Sequence, residues 1–141
     1  MEVQINTIMK KLHIKPKKDS PEVILDHSSN LLSIKGICHP ENVTKFFEPV
    51  LFWLDDFKKY LDTNGEKRDI KVVLFFRYFN SATYKYLITL LQKINELTEI
   101  GNSIFVEWHY EEDDEDMLES GEELFEFSGL NMPHACIESK F

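Results

Sequence analysis

The chain has 141 residues and a net charge of −9, which is the length of one domain that can bury a core without disulfides or metals. Apolar residues make up 43% of it and aromatic residues 13%, including eleven phenylalanines, so an intrinsically disordered chain is excluded. The negative charge argues against nucleic acid as a partner, because phosphate binding needs clustered lysine and arginine.

The sequence predicts a cytoplasmic protein without membrane insertion. No uninterrupted apolar stretch approaches the ~20 residues that a spanning helix needs, and the first residues lack the apolar core of a secretory signal. The two cysteines, Cys38 and Cys136, do not form a disulfide framework. Cys38-His39 and His134-Ala135-Cys136 contain zinc-type ligands but lack zinc-site spacing, so we expect Cys38 to be a small buried apolar residue.

The first third of the chain predicts an extension followed by a β-hairpin. Residues 1–20 are basic and polar, with 12–14 as a candidate edge strand. Residues 22–26 and 31–36 read as two strands joined by a turn rich in serine and asparagine.

A long amphipathic helix follows, opening at Pro40-Glu41-Asn42 and ending within residues 62–65. Pro49 lies inside it and is expected to kink it, because proline removes one backbone hydrogen bond. Phe52 and Trp53 lie off the centre of the apolar face, so we expect one of them to be an exposed anchor for a partner.

The central segment reads as a buried strand running into a helix. Residues 70–78 form the strand, and its continuously apolar part, Val72 to Phe76, predicts burial on both faces of a sheet. Asn80 or Ser81 then caps a helix over about 82–97. A hydroxyl at this position lies at the positive end of the helix dipole, where a phosphate is well tolerated.

The last third predicts a strand over residues 102–110, a helix after the acidic run of residues 111–116, and a short edge strand within residues 132–137. Glu107 and His109 share one face of the strand, where they form either an acid–base pair or a hydrogen-bonded support. The fold class is therefore α/β. We expect a single globular domain over residues 21–138, with a mixed β-sheet of about four to five strands packed by about three α-helices.

The acidic run Glu111 to Asp116 has three interpretations: a solvated helix start, a surface for a basic partner, or a site for a hard cation. The run lacks the glycine and the alternation of an EF-hand loop, so no metal site is predicted. No P-loop, no G-x-G-x-x-G and no G-x-S-x-G motif occurs, so neither an enzyme nor a cofactor is predicted.

Several fragments in a fixed order resemble the SiaC-type regulatory phosphoproteins of bacteria, and together they cover roughly residues 20 to 130. They are Pro21 to Asp26, Ile34 to Gly36, His39 to Asn42, Trp53-Leu54, Tyr78 to Thr83, and Val106 to Met117.

The resemblance implies a fold similar to the anti-sigma-factor antagonists of the STAS class, and a phosphorylation switch. In the family, a hydroxyl residue directly after the strand-end asparagine is phosphorylated by a protein kinase and cleared by a PP2C-like phosphatase. The unphosphorylated form binds and activates a diguanylate cyclase. Carried over by position, the switch residue is Ser81. Family members often have Thr-Ser-Ser after the asparagine, so Thr83 is a second candidate.

The resulting hypothesis is a non-enzymatic switch protein controlled by phosphorylation of Ser81. Its candidate partner-binding residues are Asn80, Thr83, Glu111, Glu112, Asp113 and Asp114. Two alternatives remain: a constitutive interaction module in which Ser81 only caps a helix, and a metal-dependent hydrolase built on the acidic cluster.

Overall fold

The computed structural model describes residues 9–130 and 132–141, and this part of the chain forms one mixed sheet and three helices. The elements in chain order are β1 (Leu12–Ile14), β2 (Glu22–Asp26), β3 (Leu31–Cys38), α1 (Val43–Asn64), β4 (Asp69–Phe79), α2 (Ser81–Glu99), β5 (Ser103–Glu111), α3 (Glu115–Ser128) and β6 (His134–Ser139). The strands lie side by side in the order β1-β2-β3-β4-β5-β6. The pairs β1–β2 and β2–β3 are antiparallel, and the pairs from β3 to β6 are parallel.

The predicted α/β class, the mixed sheet and the three helices are confirmed, but the sheet has six strands rather than four to five. Both additional strands are edge strands: β1 has three residues and β6 has six. β1 is too short to show an alternation of apolar and polar side chains, and β6 shows none because no side chain in it is fully buried, so only candidate strands could be placed there.

Helix α1 shows how the sequence sets both ends of a helix. The Asn42 side chain accepts a hydrogen bond from the Lys45 backbone N–H at 3.0 Å, and Gly65 ends the helix in the left-handed conformation at φ 64°. Pro49 lies within this single helix on its exposed side. The buried face follows the predicted period: Phe47, Val50, Trp53, Leu54, Phe57 and Leu61.

All three helices pack on the same face of the sheet. Leu54 of α1 and Leu90 of α2 line one narrow gap together with Leu74 of β4. Trp108 pairs with Leu74 in the β4–β5 register, and the indole of Trp108 lies against Gly121 of α3. Successive parallel strands with right-handed crossovers running in one direction place every connecting helix on one side, which explains the arrangement.

The prediction that the run Val72 to Phe76 is buried on both faces of the sheet holds only in part, because Val73 on the second face is half-buried although Phe75 on that face is buried. The side chains of β4 alternate, with Val72, Leu74 and Phe76 in the helix-covered core and Lys71 and Val73 on the other face. Within the described residues no helix packs on this second face, which we call the open face. Antiparallel sheets often leave one face to solvent, and here a mostly parallel sheet does so because its crossovers all run the same way.

Residues 9–20, part of the predicted extension, pack against the domain. The Met9 side chain is buried, and the Trp53 indole N–H donates to the backbone oxygen of Lys10 at 2.6 Å. β1 pairs with β2 from Leu12 to Ile14, which confirms the candidate edge strand. Residues 1–8 lie outside the described residues. None of the three helices described is long and apolar enough to cross a membrane.

The contact between α3 and β5 gives a prediction of stability. The Trp108 side chain is fully buried and donates to the Met117 backbone oxygen at 2.9 Å, and a Cβ on Gly121 would lie 2.3 Å from its ring. Overpacking typically costs ~1–3 kcal/mol, whereas replacing a helical glycine by alanine gains about 1 kcal/mol. A distance of 2.3 Å places the cost in the upper part of this range, so we expect Gly121→Ala to lower the free energy of unfolding by about 1–2 kcal/mol in urea titration, because the indole must move.

Ser120→Ala, one residue earlier on the same helix, is the matched control and should change stability by less than about 0.5 kcal/mol. A Gly121→Ala protein as stable as the parent chain would show that α3 does not approach Trp108 this closely.

Candidate functional site at the carboxyl edge of the sheet

The parallel strands bring three helix N-termini to one edge of the sheet, which we call the carboxyl edge. β3 ends at Cys38, β4 at Phe79 and β5 at Glu111, and each is followed by a helix whose first residues return over the core. In open α/β sheets ligands bind outside the carboxyl ends of the strands. The predicted switch residues lie at this edge. So do residues Glu111 to Asp114 of the acidic run, which we call the acidic segment.

The structure identifies Asn80, and not Ser81, as the N-cap of α2. Asn80 has extended backbone angles (φ −92°, ψ 173°), and its side chain accepts a hydrogen bond from the Thr83 N–H at 2.9 Å. Ser81 is the first residue of the helix and is exposed to solvent. Its hydroxyl therefore lies at the positive end of α2 without being needed to cap the helix.

Thr83 differs from Ser81 in its surroundings. Its side chain is fully buried, and its hydroxyl donates to the Cys38 backbone oxygen at 3.1 Å, with the Cys38 thiol 3.5 Å away. A kinase cannot reach this hydroxyl while α2 is folded. The burial therefore favours Ser81 over Thr83 as a modification site and gives Thr83 the role of joining α2 to β3.

The acidic segment forms the turn between β5 and α3. Asp113 adopts a left-handed conformation (φ 67°), and the Asp114 side chain caps α3 by accepting from the Met117 N–H at 3.1 Å. Glu111 is half-buried and lies 3.7 Å from the Arg77 guanidinium, while Glu112 and Asp113 are exposed. In the described ranges, no group of three or more histidine, cysteine, aspartate or glutamate side chains is placed to hold a metal ion.

Two residues of this edge, Tyr78 and Arg77, were not predicted as site residues from the sequence. Tyr78 is 52% exposed and packs edge-on against His39, with ring centroids 5.6 Å apart. Arg77 connects the end of β4 to Glu111. An exposed aromatic residue at the end of an otherwise apolar strand is the signal that could have found Tyr78.

The expected exposed aromatic residue of α1 is Phe52. Its side chain is 61% exposed, whereas Trp53 is buried and bonded to Lys10. Phe52 lies in the middle of α1, away from the helix end that faces the carboxyl edge.

Glu107 and His109 belong to a hydrogen-bonded network on the open face. The His109 Nε2 lies 2.8 Å from the Glu107 carboxylate and its Nδ1 lies 2.7 Å from the Ser139 hydroxyl, while the Lys71 ammonium lies 3.1 Å from Glu107. Burial raises the pKa of Glu107, but the hydrogen bonds from His109 and Lys71 outweigh it and leave that pKa lowered.

An ionised Glu107 can only accept, so the His109 Nε2–H donates to it, and in that tautomer the Ser139 hydroxyl donates a hydrogen bond to Nδ1. The order serine–histidine–carboxylate matches that of hydrolytic triads. However, the neighbouring cavity of about 440 Å³ is lined by Lys71, Phe105 and Glu107 and not by Ser139. The network joins β4, β5 and β6, which is the support expected as the alternative to an acid–base pair.

Comparison with known proteins gives a family match over most of the chain. The profile of the SiaC family regulatory phosphoproteins matches residues 14–134. An uncharacterized protein of Pseudomonas aeruginosa (strain UCBPP-PA14) is 28% identical over 118 residues, which cover 84% of this chain and 90% of that protein.

Solved structures of SiaC from the same species have the same fold. The apo protein superposes with a TM-score of 0.77 at 26% identity, covering 92% of this chain and 99% of SiaC. SiaC in a complex described as diguanylate cyclase SiaD with its activator SiaC superposes with a TM-score of 0.79 at 26% identity, covering 91% and 99%.

The capping geometry predicts that two adjacent substitutions have different effects on stability. Asn80→Ala removes the side chain that caps α2 and should lower the free energy of unfolding by about 0.5–2 kcal/mol. Ser81→Ala, its matched control, should stay within about 0.5 kcal/mol of the parent chain, because Ser81 is exposed and is not the cap. Chemical denaturation measures both. A larger loss for Ser81→Ala than for Asn80→Ala would reverse the assignment of the cap.

The two cysteines should differ in reactivity. Burial raises the pKa of the Cys38 thiol to about 11, so at pH 8 about one molecule in a thousand carries the reactive thiolate. Cys136 is half-buried, and its pKa is raised by burial and by the charge of Glu122. In a thiol assay on folded protein we expect one reacting group, which Cys136→Ser removes, and a second only on unfolding. Two equally fast thiols would contradict the burial of Cys38.

Proposed function

Because the chain belongs to the SiaC family of regulatory phosphoproteins, we propose that it is a non-enzymatic partner switch controlled by phosphorylation of Ser81. In this proposal the unphosphorylated form binds and activates a diguanylate cyclase or a similar signalling target. A protein kinase phosphorylates Ser81 and a PP2C-like phosphatase reverses the reaction.

The observation that carries the proposal is that Asn80 caps α2, while Ser81 beside it is exposed and is not the cap. Asn80 caps α2, so the exposed hydroxyl of Ser81 can change its chemical state without removing a bond that the fold needs. A hydroxyl that also served as the cap would couple modification to loss of helix stability.

The physical effect of phosphorylation also fits a switch. A phosphoserine adds about −1.5 to −2 charges at neutral pH. At the first residue of α2 this charge faces the positive end of the helix dipole, so the folded domain tolerates it. On a contact surface the same charge must be desolvated and repels acidic groups of a partner, so it changes binding more than folding.

The choice of target rests on a relative. SiaC of Pseudomonas aeruginosa has been solved in complex with the diguanylate cyclase SiaD, as its activator. Carrying this to the present chain gives a cyclase as the first target to test. The candidate contact residue Asn80 lies at the carboxyl edge next to Ser81, with the acidic segment Glu111 to Asp114 beside it. Thr83, predicted as a contact residue, is fully buried and is not proposed as one. Exposed aromatic residues often anchor such interfaces, which adds Tyr78 to the predicted set.

Binding to a cyclase should depend on the state of Ser81. We expect the unphosphorylated protein and Ser81→Ala to bind a purified diguanylate cyclase partner equally and to raise its rate of cyclic-di-GMP synthesis. Phosphorylation at Ser81 should weaken binding at least tenfold. Ser81→Asp should weaken it less, because aspartate carries one charge and lacks the third oxygen. The measurements are isothermal titration and a turnover assay, with thermal melts of all forms.

Ser103→Ala, an exposed serine at the opposite end of the sheet, is the matched control and should behave as the parent chain. If the phosphorylated and unphosphorylated forms are both folded and bind the cyclase equally, the protein is a constitutive interaction module. Phosphopeptide mapping that finds Thr83 modified in place of Ser81 would also overturn the proposal.

A further inference from the structure

The side chain of Phe75 is buried where the fold alone would leave it exposed. Phe75 points to the open face and is not part of the helix-covered core, yet only 3% of it is accessible. Its cover comes from Phe141, which follows β6. The ring of Phe141 lies on it with centroids 3.9 Å apart, and His109 packs beside it at 5.5 Å.

Two cations hold the Phe141 ring in place. The Arg77 guanidinium lies 4.5 Å from the ring centroid, and the Lys35 ammonium lies 5.5 Å from it. We call the site formed by Phe75, Lys35 and Arg77 the aromatic niche. It is an apolar floor between two positive charges, and cation–π contacts of this kind contribute about 0.5–1 kcal/mol each at exposed sites.

The niche continues into a cavity. A volume of about 200 Å³ beside the Phe141 ring is lined by Lys17, Ser20, Ile37 and Arg77. Lys17 and Arg77 line this volume, and Lys35 lies over the Phe141 ring at its border. Arg77 also lies 3.7 Å from Glu111, whereas Lys17 and Lys35 are exposed. A ligand that places an aromatic ring on Phe75 and carboxylates near these cations would fit both the shape and the charge.

The contacts of Phe141 are weak enough for another aromatic group to replace its ring on Phe75. Only Lys140 separates it from Ser139, the last residue of β6, and the Phe141 side chain remains 38% exposed. Its contacts are one tilted aromatic pair with Phe75, two exposed cations and the nearby Ser139–His109 hydrogen bond. Lifting it would leave the sheet and the helix-covered core unchanged.

We propose that the aromatic niche is a docking site for a partner protein segment that presents an aromatic side chain flanked by carboxylates, and that Phe141 is its intramolecular occupant. The partner segment must displace Phe141 to bind. The site lies on the open face and does not involve Ser81, so it is tested independently of the phosphorylation switch.

The test uses a fluorescein-labelled peptide with one phenylalanine between two pairs of aspartates, titrated into the full chain and followed by anisotropy. Removing the occupant with Phe141→Ala should tighten binding at least fivefold, because the peptide no longer competes with a tethered ring. Phe127→Ala, which removes an aromatic residue that is 69% exposed on α3, should bind as the parent chain does. Adding Arg77→Gln or Lys35→Gln to Phe141→Ala should abolish the gain.

A peptide with alanine in place of phenylalanine separates ring docking from general charge attraction, and it should bind the Phe141→Ala protein at least fivefold more weakly. NMR of the parent chain gives a second readout that needs no variant: the Phe141 ring resonances should move to free values as the phenylalanine peptide saturates. Equal binding to the parent chain and to Phe141→Ala, equal binding of the two peptides, or unmoved Phe141 resonances would each overturn the proposal.

Discussion

The structure depends on one constraint, which is that all its crossovers run in the same direction. From β3 onward each parallel strand lies next to the one before it, so right-handed connections place α1, α2 and α3 on a single face. Two surfaces follow from this arrangement. The helix N-termini collect at the carboxyl edge, and the opposite face of the sheet keeps no helix within the described residues.

The two surfaces differ in how their side chains hydrogen-bond polar groups and cover apolar ones. At the carboxyl edge, side chains cap the helices, with Asn42, Asn80 and Asp114 each accepting an N–H of the first turn. On the open face, Glu107 is shielded by His109 and Lys71, and Phe75 is shielded by Phe141. The first surface therefore offers helix ends with exposed side chains, and the second offers a covered aromatic residue between cations.

The elements that the sequence predicted well are those with a strong local period. α1 and α2 were placed because their apolar residues recur at helical spacing, and the period also contains Thr83, four residues before the buried Leu87. The helical period therefore predicts that Thr83 is buried. The sequence cannot decide whether Asn80 or Ser81 is the cap, because both residue types are good N-caps and only the backbone angles distinguish them.

What could not be predicted depends on contacts between distant parts of the chain. The apolar run of β4 suggested two covered faces, but a run of apolar residues does not say what covers each face. Phe75 is covered by Phe141, and no local pattern connects these two residues. The triad-like order of Glu107, His109 and Ser139 likewise needs β6 to pair with β5, and β6 was only a candidate strand in the sequence.

The two surfaces meet at Arg77. A guanidinium can stack its flat face on an aromatic ring while its N–H groups point toward a carboxylate, and here Arg77 lies against Phe141 on one side and 3.7 Å from Glu111 on the other. Exposed ion pairs and cation–π contacts are each worth about 1 kcal/mol or less. Such energies are too small to determine whether the domain folds. They are large enough to influence where the Phe141 ring and the Glu111 carboxylate lie. Arg77 therefore links the acidic segment to the aromatic niche, and the helix-covered core does not depend on either.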